Sequence, residues 1–327
     1  MRNHLISLGK LSLKISVGTA AALAILVSLA FAAEGIMRAF YYFHGRRFIH
    51  PYLGETHKPL HQTTGITPEG EPFVFTTNNY GFRGQNIPDR KPVGARYVFT
   101  IGGSTTACNE YPHESTWSGV LEQRLRQNLA DNRIYVFNAG MGSGTSYRSL
   151  VIFLNLLTRL SPDLVIVYEG VNDKAPFYPS RARHFPEIGY GEEFLRRPSY
   201  ILHELALRTR SPFFRKLNDL LLPAPVLAQD FQYHENNYRN IAYLARGHRI
   251  PLMFMTQPVT PEAGSNESVN RSTRELGQEL KVPVFDLASI IPRESQYFLA
   301  DGAHYTRLGN LRIGDHLAKW MVSQELP

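Results

Sequence analysis

Four short stretches carry residue types that could do chemistry in concert. In Gly102-Gly103-Ser104-Thr105-Thr106, two glycines precede a hydroxyl. Glycines permit a tight strand-to-helix turn with serine at its apex, and such a serine is a nucleophile when a base lies within reach. The same pattern also serves as a plain helix N-cap. It is not the G-x-S-x-G elbow, because Thr106 holds the last position. In Asn138-Ala139-Gly140-Met141-Gly142-Ser143-Gly144-Thr145-Ser146, a glycine-rich bend can turn backbone N–H groups toward an anion, an oxyanion included. Thr145 stands where G-x-G-x-x-G needs its last glycine, and no G-x-x-x-x-G-K-[ST] occurs, which argues against a nucleotide cradle. Glu169-Gly170-Val171-Asn172-Asp173 offers an asparagine amide as a further donor. Asp301-Gly302-Ala303-His304 sets a carboxylate three residues before an imidazole, close enough in a turn to fix its tautomer and stabilise the imidazolium. Taken by itself, that pair reads equally as a structural or metal-bound histidine. A nucleophile, oxyanion donors and a base–acid pair, in chain order, describe acyl transfer.

Those stretches need elements to position them. From Arg96 onward, short apolar runs alternate with stripes of helical period. Tyr97–Ile101, Ile134–Phe137, Leu164–Tyr168, Pro251–Thr256 and Val282–Asp286 read as strands. Thr116–Ala130, Ser146–Leu160, Tyr233–Arg246, Glu267–Leu280 and Thr306–Val322 read as helices, the second with Leu150, Phe153, Leu154 and Leu157 inward. Repeated βα units with continuous apolar strands predict an α/β fold: a three-layer α/β/α sandwich on a parallel five-stranded sheet, over residues 96–327. Ligands in such a sheet sit beyond the carboxyl ends of the strands, which is where three of the stretches fall, the fourth preceding the last helix. Residues 34–95 form a connector, rich from residue 44 in Pro, Gly, Thr and Asn, that is expected to wrap onto this domain. It holds a short strand at Phe73–Thr77 and a turn at Asn78-Asn79-Tyr80-Gly81. An insertion at 175–229 sets YILHELAL and FFRKLNDLLL among arginines, the pattern of a cap over the site, a basic amphipathic patch or plain surface helices.

In combination, Gly-Gly-Ser104, the Asn138–Ser146 loop, Gly170-x-Asn172-Asp173 and Asp301-x-x-His304 resemble the four blocks of the SGNH (GDSL-type) hydrolase superfamily, over about Tyr97–Leu317. The resemblance implies a flavodoxin-like sheet and a Ser–His–Asp esterase mechanism that needs no metal and no organic cofactor. By position it makes Ser104 the nucleophile, His304 the general base and Asp301 its orienting partner. The Ser104 backbone N–H and the Asn172 side chain become oxyanion donors. The family's second-block glycine falls on Ser143, with Gly142 as the alternative; its role is N–H donation, which serine also performs. Asn78-Asn79-Tyr80-Gly81-Phe82-Arg83-Gly84 and Glu34-x-x-x-Arg38 resemble membrane-anchored bacterial members, which often act on esters of envelope glycans or lipids.

The N-terminus bears on where such chemistry would occur. Ile15–Ala33 runs 19 residues without a charge. As a helix it spans roughly 28 Å, close to the hydrocarbon thickness of a bilayer. Arg2, Lys10 and Lys14 before it favour a cytoplasmic segment 1–14, Arg38, Arg46 and Arg47 weaken that asymmetry, and Tyr41, Tyr42 and Phe43 suit the far interface. The expected organisation is a single-pass anchor at 15–33 in the cytoplasmic (inner) membrane, with the domain on the extracytoplasmic side. A signal peptide cleaved near Ala30-Phe31-Ala32 and a buried soluble helix are the alternatives. A net charge of +7 suits anionic surfaces, but no long Lys/Arg run points to nucleic acid. With 43% hydrophobic and 19% charged residues the chain is not disordered. The single cysteine, Cys108, excludes an intrachain disulfide and a multi-cysteine zinc site, and reads as a buried small hydrophobe.

The remaining candidates take plainer readings. His113, His184, His203, His234, His248 and His316 lack metal-ligand spacing and read as surface or capping residues. Asn266 and Asn270 each open an N-x-S sequon. Tyr305 and Arg307 flank the base as packing or substrate contacts. The expected function is a membrane-anchored serine esterase acting on an O-acyl or O-acetyl ester of an envelope glycan or lipid. Transfer to a sugar hydroxyl, and a non-catalytic binding role in an envelope assembly complex, are the alternatives.

Overall fold

The computed structural model describes residues 19–20, 22–37, 39, 47–50, 54–142, 144–174 and 232–326. Ser143 and the whole insertion at 175–229 lie outside them. The chain divides into two compact units, Arg46–Tyr190 with Pro225–Pro327, and Met1–Gly45 with Gly191–Ala224.

The larger unit is built on strands β5 (Arg96–Gly102), β6 (Ile134–Asn138), β7 (Leu164–Tyr168), β8 (Leu252–Met255) and β9 (Val284–Phe285), numbered after four strands of the connector. They form one parallel sheet in the order β6-β5-β7-β8-β9. This is the doubly wound order in which the first strand lies between the second and third, so the winding direction reverses beside β5. Every residue of β7 is buried, as expected of a central strand covered on both faces. Alternation along β5 feeds two cores: Tyr97, Phe99 and Ile101 enter one, Val98 the other.

Helix α1 (Ser104–Ala107) is a single turn after β5. Helices α2 (Trp117–Leu129) and α7 (Arg307–Ser323) cover one face, packing Trp117, Leu121, Ile313 and Leu317 on Val98, Val136 and Ile166. Helices α3 (Ser146–Asn155), α4 (Gln232–His248) and α5 (Glu267–Leu280) cover the other, with Ile152, Phe153, Tyr238, Ile241 and Leu276 on Phe99, Val165 and Phe254. A one-turn helix α6 (Leu287–Ile290) lies between α5 and α7. The predicted three-layer sandwich is therefore present. The predicted helix Ser146–Leu160 ends earlier, at Asn155, and continues as a 3₁₀ turn over Leu157–Arg159. Within it Leu154 is exposed and Ile152 takes the inward place, because the stripe follows the packing of α3 on the sheet.

The connector is more structured than its composition suggests. Strands β1 (Arg47–His50) and β2 (Gly54–His57) pair antiparallel, as do β3 (Gln62–Ile66) and β4 (Pro72–Thr76). Only β4 was legible as a strand, since β3 (QTTGI) has no apolar run. The predicted turn after β4 is real: Gly81 N–H donates to Asn78 O, and Gly81 has φ +78° with no room for a side chain against His57 O. Past the turn, Arg83 pairs backbone to backbone with Asn138 (2.8 and 3.0 Å), shielding the edge strand β6.

Of the smaller unit, residues 22–37 are described as helix, with Leu23, Ile25, Leu26, Leu29, Phe31 and Ile36 exposed. Among the described residues no helix is long and apolar enough to cross a membrane, and most of the predicted segment's N-terminal part lies outside them.

Candidate active site

Strand β5 delivers Ser104 to the sheet's carboxyl edge through Gly102 and Gly103. The two glycines are needed for close approach. A side chain on Gly102 would meet Thr106 Oγ1 at 2.1 Å and Tyr168 O at 2.2 Å, and one on Gly103 would meet Asn172 Nδ2 at 2.8 Å. Ser104 opens α1, so its N–H belongs to the first turn, where no intrahelical acceptor exists. Adjacent β7 ends at Tyr168, and Asn172 follows in the 3₁₀ turn Asn172–Lys174. Its Nδ2 donates to Gly144 O at 2.7 Å, which ties the amide to the glycine-rich bend after β6 and leaves its second hydrogen for a ligand. Gly142 lies buried in that bend; Ser143 falls outside the described residues.

The base arrives from the far side of the sheet. His304 sits in the loop before α7, which is pinned by Leu299 N–H to His304 O and by Thr260 N–H to Gly302 O. His304 Nδ1 lies 2.5 Å from Asp301 Oδ2, and Asp301 Oδ1 also accepts from the backbone N–H of Ala303 and His304. Burial works to raise the Asp301 carboxyl, but these N–H donors and the ring outweigh it and hold it below the usual carboxylate range. The aspartate thus accepts from Nδ1, and Nε2 carries no protein hydrogen bond among the described residues.

Ser104, Asn172 and His304 line one cleft of about 70 Å³, with Thr105, Glu169 and Gln257 around them. The structure therefore brings together the predicted nucleophile, amide and base, with Asp301 behind the base. Among the described residues no cluster of His, Cys, Asp or Glu could hold a metal ion.

Sequence reasoning missed Gln257. It follows β8, donates from Nε2 to Thr105 Oγ1 (2.9 Å) and accepts from Val171 N–H at Oε1 (3.0 Å), so it braces the serine turn against the asparagine turn. The signal was available: a polar residue just past a strand's carboxyl end, where this fold binds ligands. Glu169 was missed likewise; it is buried and accepts from Ser149 Oγ at 2.6 Å.

Several plainer readings need correction. His234 is buried, not a surface residue, its Nδ1 2.5 Å from Asp173 Oδ2; His113 is half-buried, and desolvation of its ring, with the Arg83 charge, pulls the imidazole down to about 3. His184 and His203 lie outside the described residues. Asn266 and Asn270 are buried, and both amides donate to Gln257 O, so neither sequon is open to a modifying enzyme in the folded protein. Cys108 is buried as expected, and burial pushes its thiol up. Tyr305 is packing, its hydroxyl bonded to Tyr168, while Arg307 pairs with Glu69 and Glu71.

The model of the GDSL-like lipase/acylhydrolase family matches residues 100–312, a span holding Ser104, Asn172, Asp301 and His304. No curated protein matches the chain. Among solved structures it is similar to a lipase/acylhydrolase from Enterococcus faecalis, at 16% identity and TM-score 0.45, over 70% of this chain and 96% of that one. It is also similar to a GDSL-like lipase from Bacteroides thetaiotaomicron VPI-5482, at 17% identity and TM-score 0.45, over 72% and 93%. An acetyl xylan esterase, AlAXEase, is similar at 14% identity and TM-score 0.45, over 69% and 98%.

Proposed function

The chain belongs to the GDSL-like lipase/acylhydrolase family, whose members are serine esterases, and from that premise we propose that it hydrolyses an ester through Ser104, His304 and Asp301. Ser104 Oγ attacks the ester carbonyl carbon while His304 Nε2 takes the hydroxyl proton. The carbonyl π electrons move onto oxygen, and that oxyanion receives the Ser104 N–H, the Asn172 amide and an N–H of the bend at Ser143 or Gly142. The tetrahedral adduct collapses as His304 returns the proton to the leaving alcohol. Water, deprotonated by His304, then attacks the acyl-serine, and the second adduct collapses as His304 returns that proton to the departing Ser104 Oγ and the acid is released. Asp301 holds the Nδ1 proton and balances the imidazolium. The observation that carries this reading is the Asp301-bonded His304 ring lining one cleft with Ser104 and Asn172.

The small cleft favours a short acyl group such as acetyl. We infer an O-acyl ester of an envelope glycan or lipid as substrate. A helix at 22–37 with apolar side chains exposed around it needs cover from protein or lipid. That supports an anchor over 15–33; the basic residues Arg2, Lys10 and Lys14 before it favour a cytoplasmic segment 1–14, which would put the connector 34–95 and the catalytic domain 96–327 outside the cytoplasm.

Covalent labelling of the detergent-solubilised protein by a fluorophosphonate tests the reading. Ser104→Ala is expected to abolish labelling, and His304→Ala to slow it about 1,000-fold or more. A folded wild-type protein that is not labelled would overturn it. Protease accessibility of the domain in intact spheroplasts tests the topology.

A further inference from the structure

One side chain from outside the βα framework ends beneath the nucleophile. Arg83 belongs to the connector and is fully buried. Its Nη1 donates to the carbonyls of Ala107 (2.8 Å) and Cys108 (2.6 Å), and its Nη2 to that of Tyr111 (2.5 Å). Ala107 is the last residue of α1, the turn that Ser104 begins, and Cys108 closes it. The Phe75 ring backs the guanidinium, 4.8 Å from its carbon.

The turn needs outside support. Its own backbone bonds run from Thr106 and Ala107 to Gly103 O, and from Cys108 to Ser104 O. A helix this short is not self-sustaining, since few bonds repay the residues it orders. Its final carbonyls lack intrahelical donors. Cys108 caps the turn in the left-handed conformation, at φ +45°, so the chain changes direction just where the Arg83 fork meets it. The planar guanidinium fork supplies donors to the carbonyls on either side of that kink. A lysine, with a compact ammonium, could not span them in the same geometry.

We propose that Arg83 is a positioning residue for Ser104. By fixing the C-terminal end of the single turn α1, it sets the direction of the Ser104 hydroxyl and N–H at the other end. It acts through the turn and not on the substrate, since it does not line the cleft. The connector is then part of the catalytic apparatus: Arg83 reaches α1 only because Asn78 and Gly81 shape the turn before it and Asn138 pairs with its backbone. The proposal rests on the reading of Ser104 as nucleophile.

The test compares full-length wild type, Ser104→Ala, Arg83→Lys and Phe75→Leu in detergent. It measures the fluorophosphonate labelling rate, kcat and KM on 4-nitrophenyl acetate, and folding by near-UV circular dichroism. Arg83→Lys keeps the buried charge and loses the fork. It is expected to fold, with labelling rate and kcat down about 10- to 100-fold and KM within about threefold. Phe75→Leu, which loosens the guanidinium without removing it, is expected to fold with a smaller fall, about 3- to 10-fold. It decides the matter if Arg83→Lys does not fold. Labelling that Ser104→Ala abolishes but the folded Arg83 or Phe75 variant leaves within twofold of wild type would overturn this proposal alone. A rise in KM at unchanged kcat would do the same. No labelling of wild type would remove the nucleophile, and the proposal with it.

Discussion

Two histidine–aspartate pairs in this molecule share a bond and differ in everything around it. His304 and His234 each place Nδ1 2.5 Å from an aspartate Oδ2. At the cleft, the His304 and Asp301 side chains are 24% and 51% exposed; His234 and Asp173 are each 1% exposed. Asp173 also accepts from Ser146 N–H, and Asn237 of α4 donates to Ser146 Oγ, so the buried pair fastens α4 to the start of α3 and to the turn bearing Asn172. Its Nε2 meets no partner among the described residues. The difference teaches that an aspartate on Nδ1 orients an imidazole but does not make it a base. What Nε2 faces decides that, and only His304 faces a cleft it shares with a serine.

Substituting each histidine separates the two roles most sharply. His304→Ala is expected to lower kcat about 10⁴-fold or more while Tm stays within about 2 °C of wild type. His234→Ala leaves Asp173 buried without its partner, which costs about 3–5 kcal/mol and appears as a large fall in Tm. The folded fraction is expected to keep kcat within about tenfold, because no reacting atom touches His234. Interchange of those outcomes would break the comparison. Next in size is Asp301→Asn. Water reaches this half-exposed acid and screens its charge, so kcat is expected to fall about 100-fold, less than the roughly 10⁴-fold seen where the corresponding acid is buried. A loss as large as that of His304→Ala would show that the exposure of Asp301 is misleading.

The smallest effect concerns a third histidine, His113, which is half-buried, with its ring desolvated near the Arg83 charge and its Nδ1 without a partner among the described residues. Burial first, then that charge, pulls its imidazole from the ordinary value to about 3. Between those values the unfolded chain binds a proton that the folded protein does not, so stability falls as pH drops from about 6.5 toward 3. His113→Gln should flatten this acid limb in denaturant titrations at several pH values. An unchanged slope would mean that His113 is charged in the folded protein.

The same contrast explains what could be read in advance. Asp301 and His304 are three residues apart, so local geometry alone places them together; Asp173 and His234 are 61 apart and meet only through the packing of α4. The strands β5, β6 and β7 were visible because a sheet covered on both faces demands unbroken apolar runs. Strand β3 was not, because none of its residues is fully buried and most of them are polar. Gln257 stayed hidden for a related reason: its partners Thr105 and Val171 lie on other strand ends, 152 and 86 residues away.

By itself the sequence determined the alternation of β and α elements, the residues at their carboxyl ends, and the local Asp301–His304 pair. These follow from hydrophobic period, glycine placement and short spacing, all interactions within a turn or an element. Only the tertiary structure decided that the first strand lies between the second and third, so that Ser104 and Asn172 emerge side by side. It alone brought His304 to the cleft they share, hid His234 from it, and slid Arg83 under the serine turn. Each of these depends on contacts between residues far apart in the chain, whose cost in chain entropy is recovered only when the whole sheet and its helices pack.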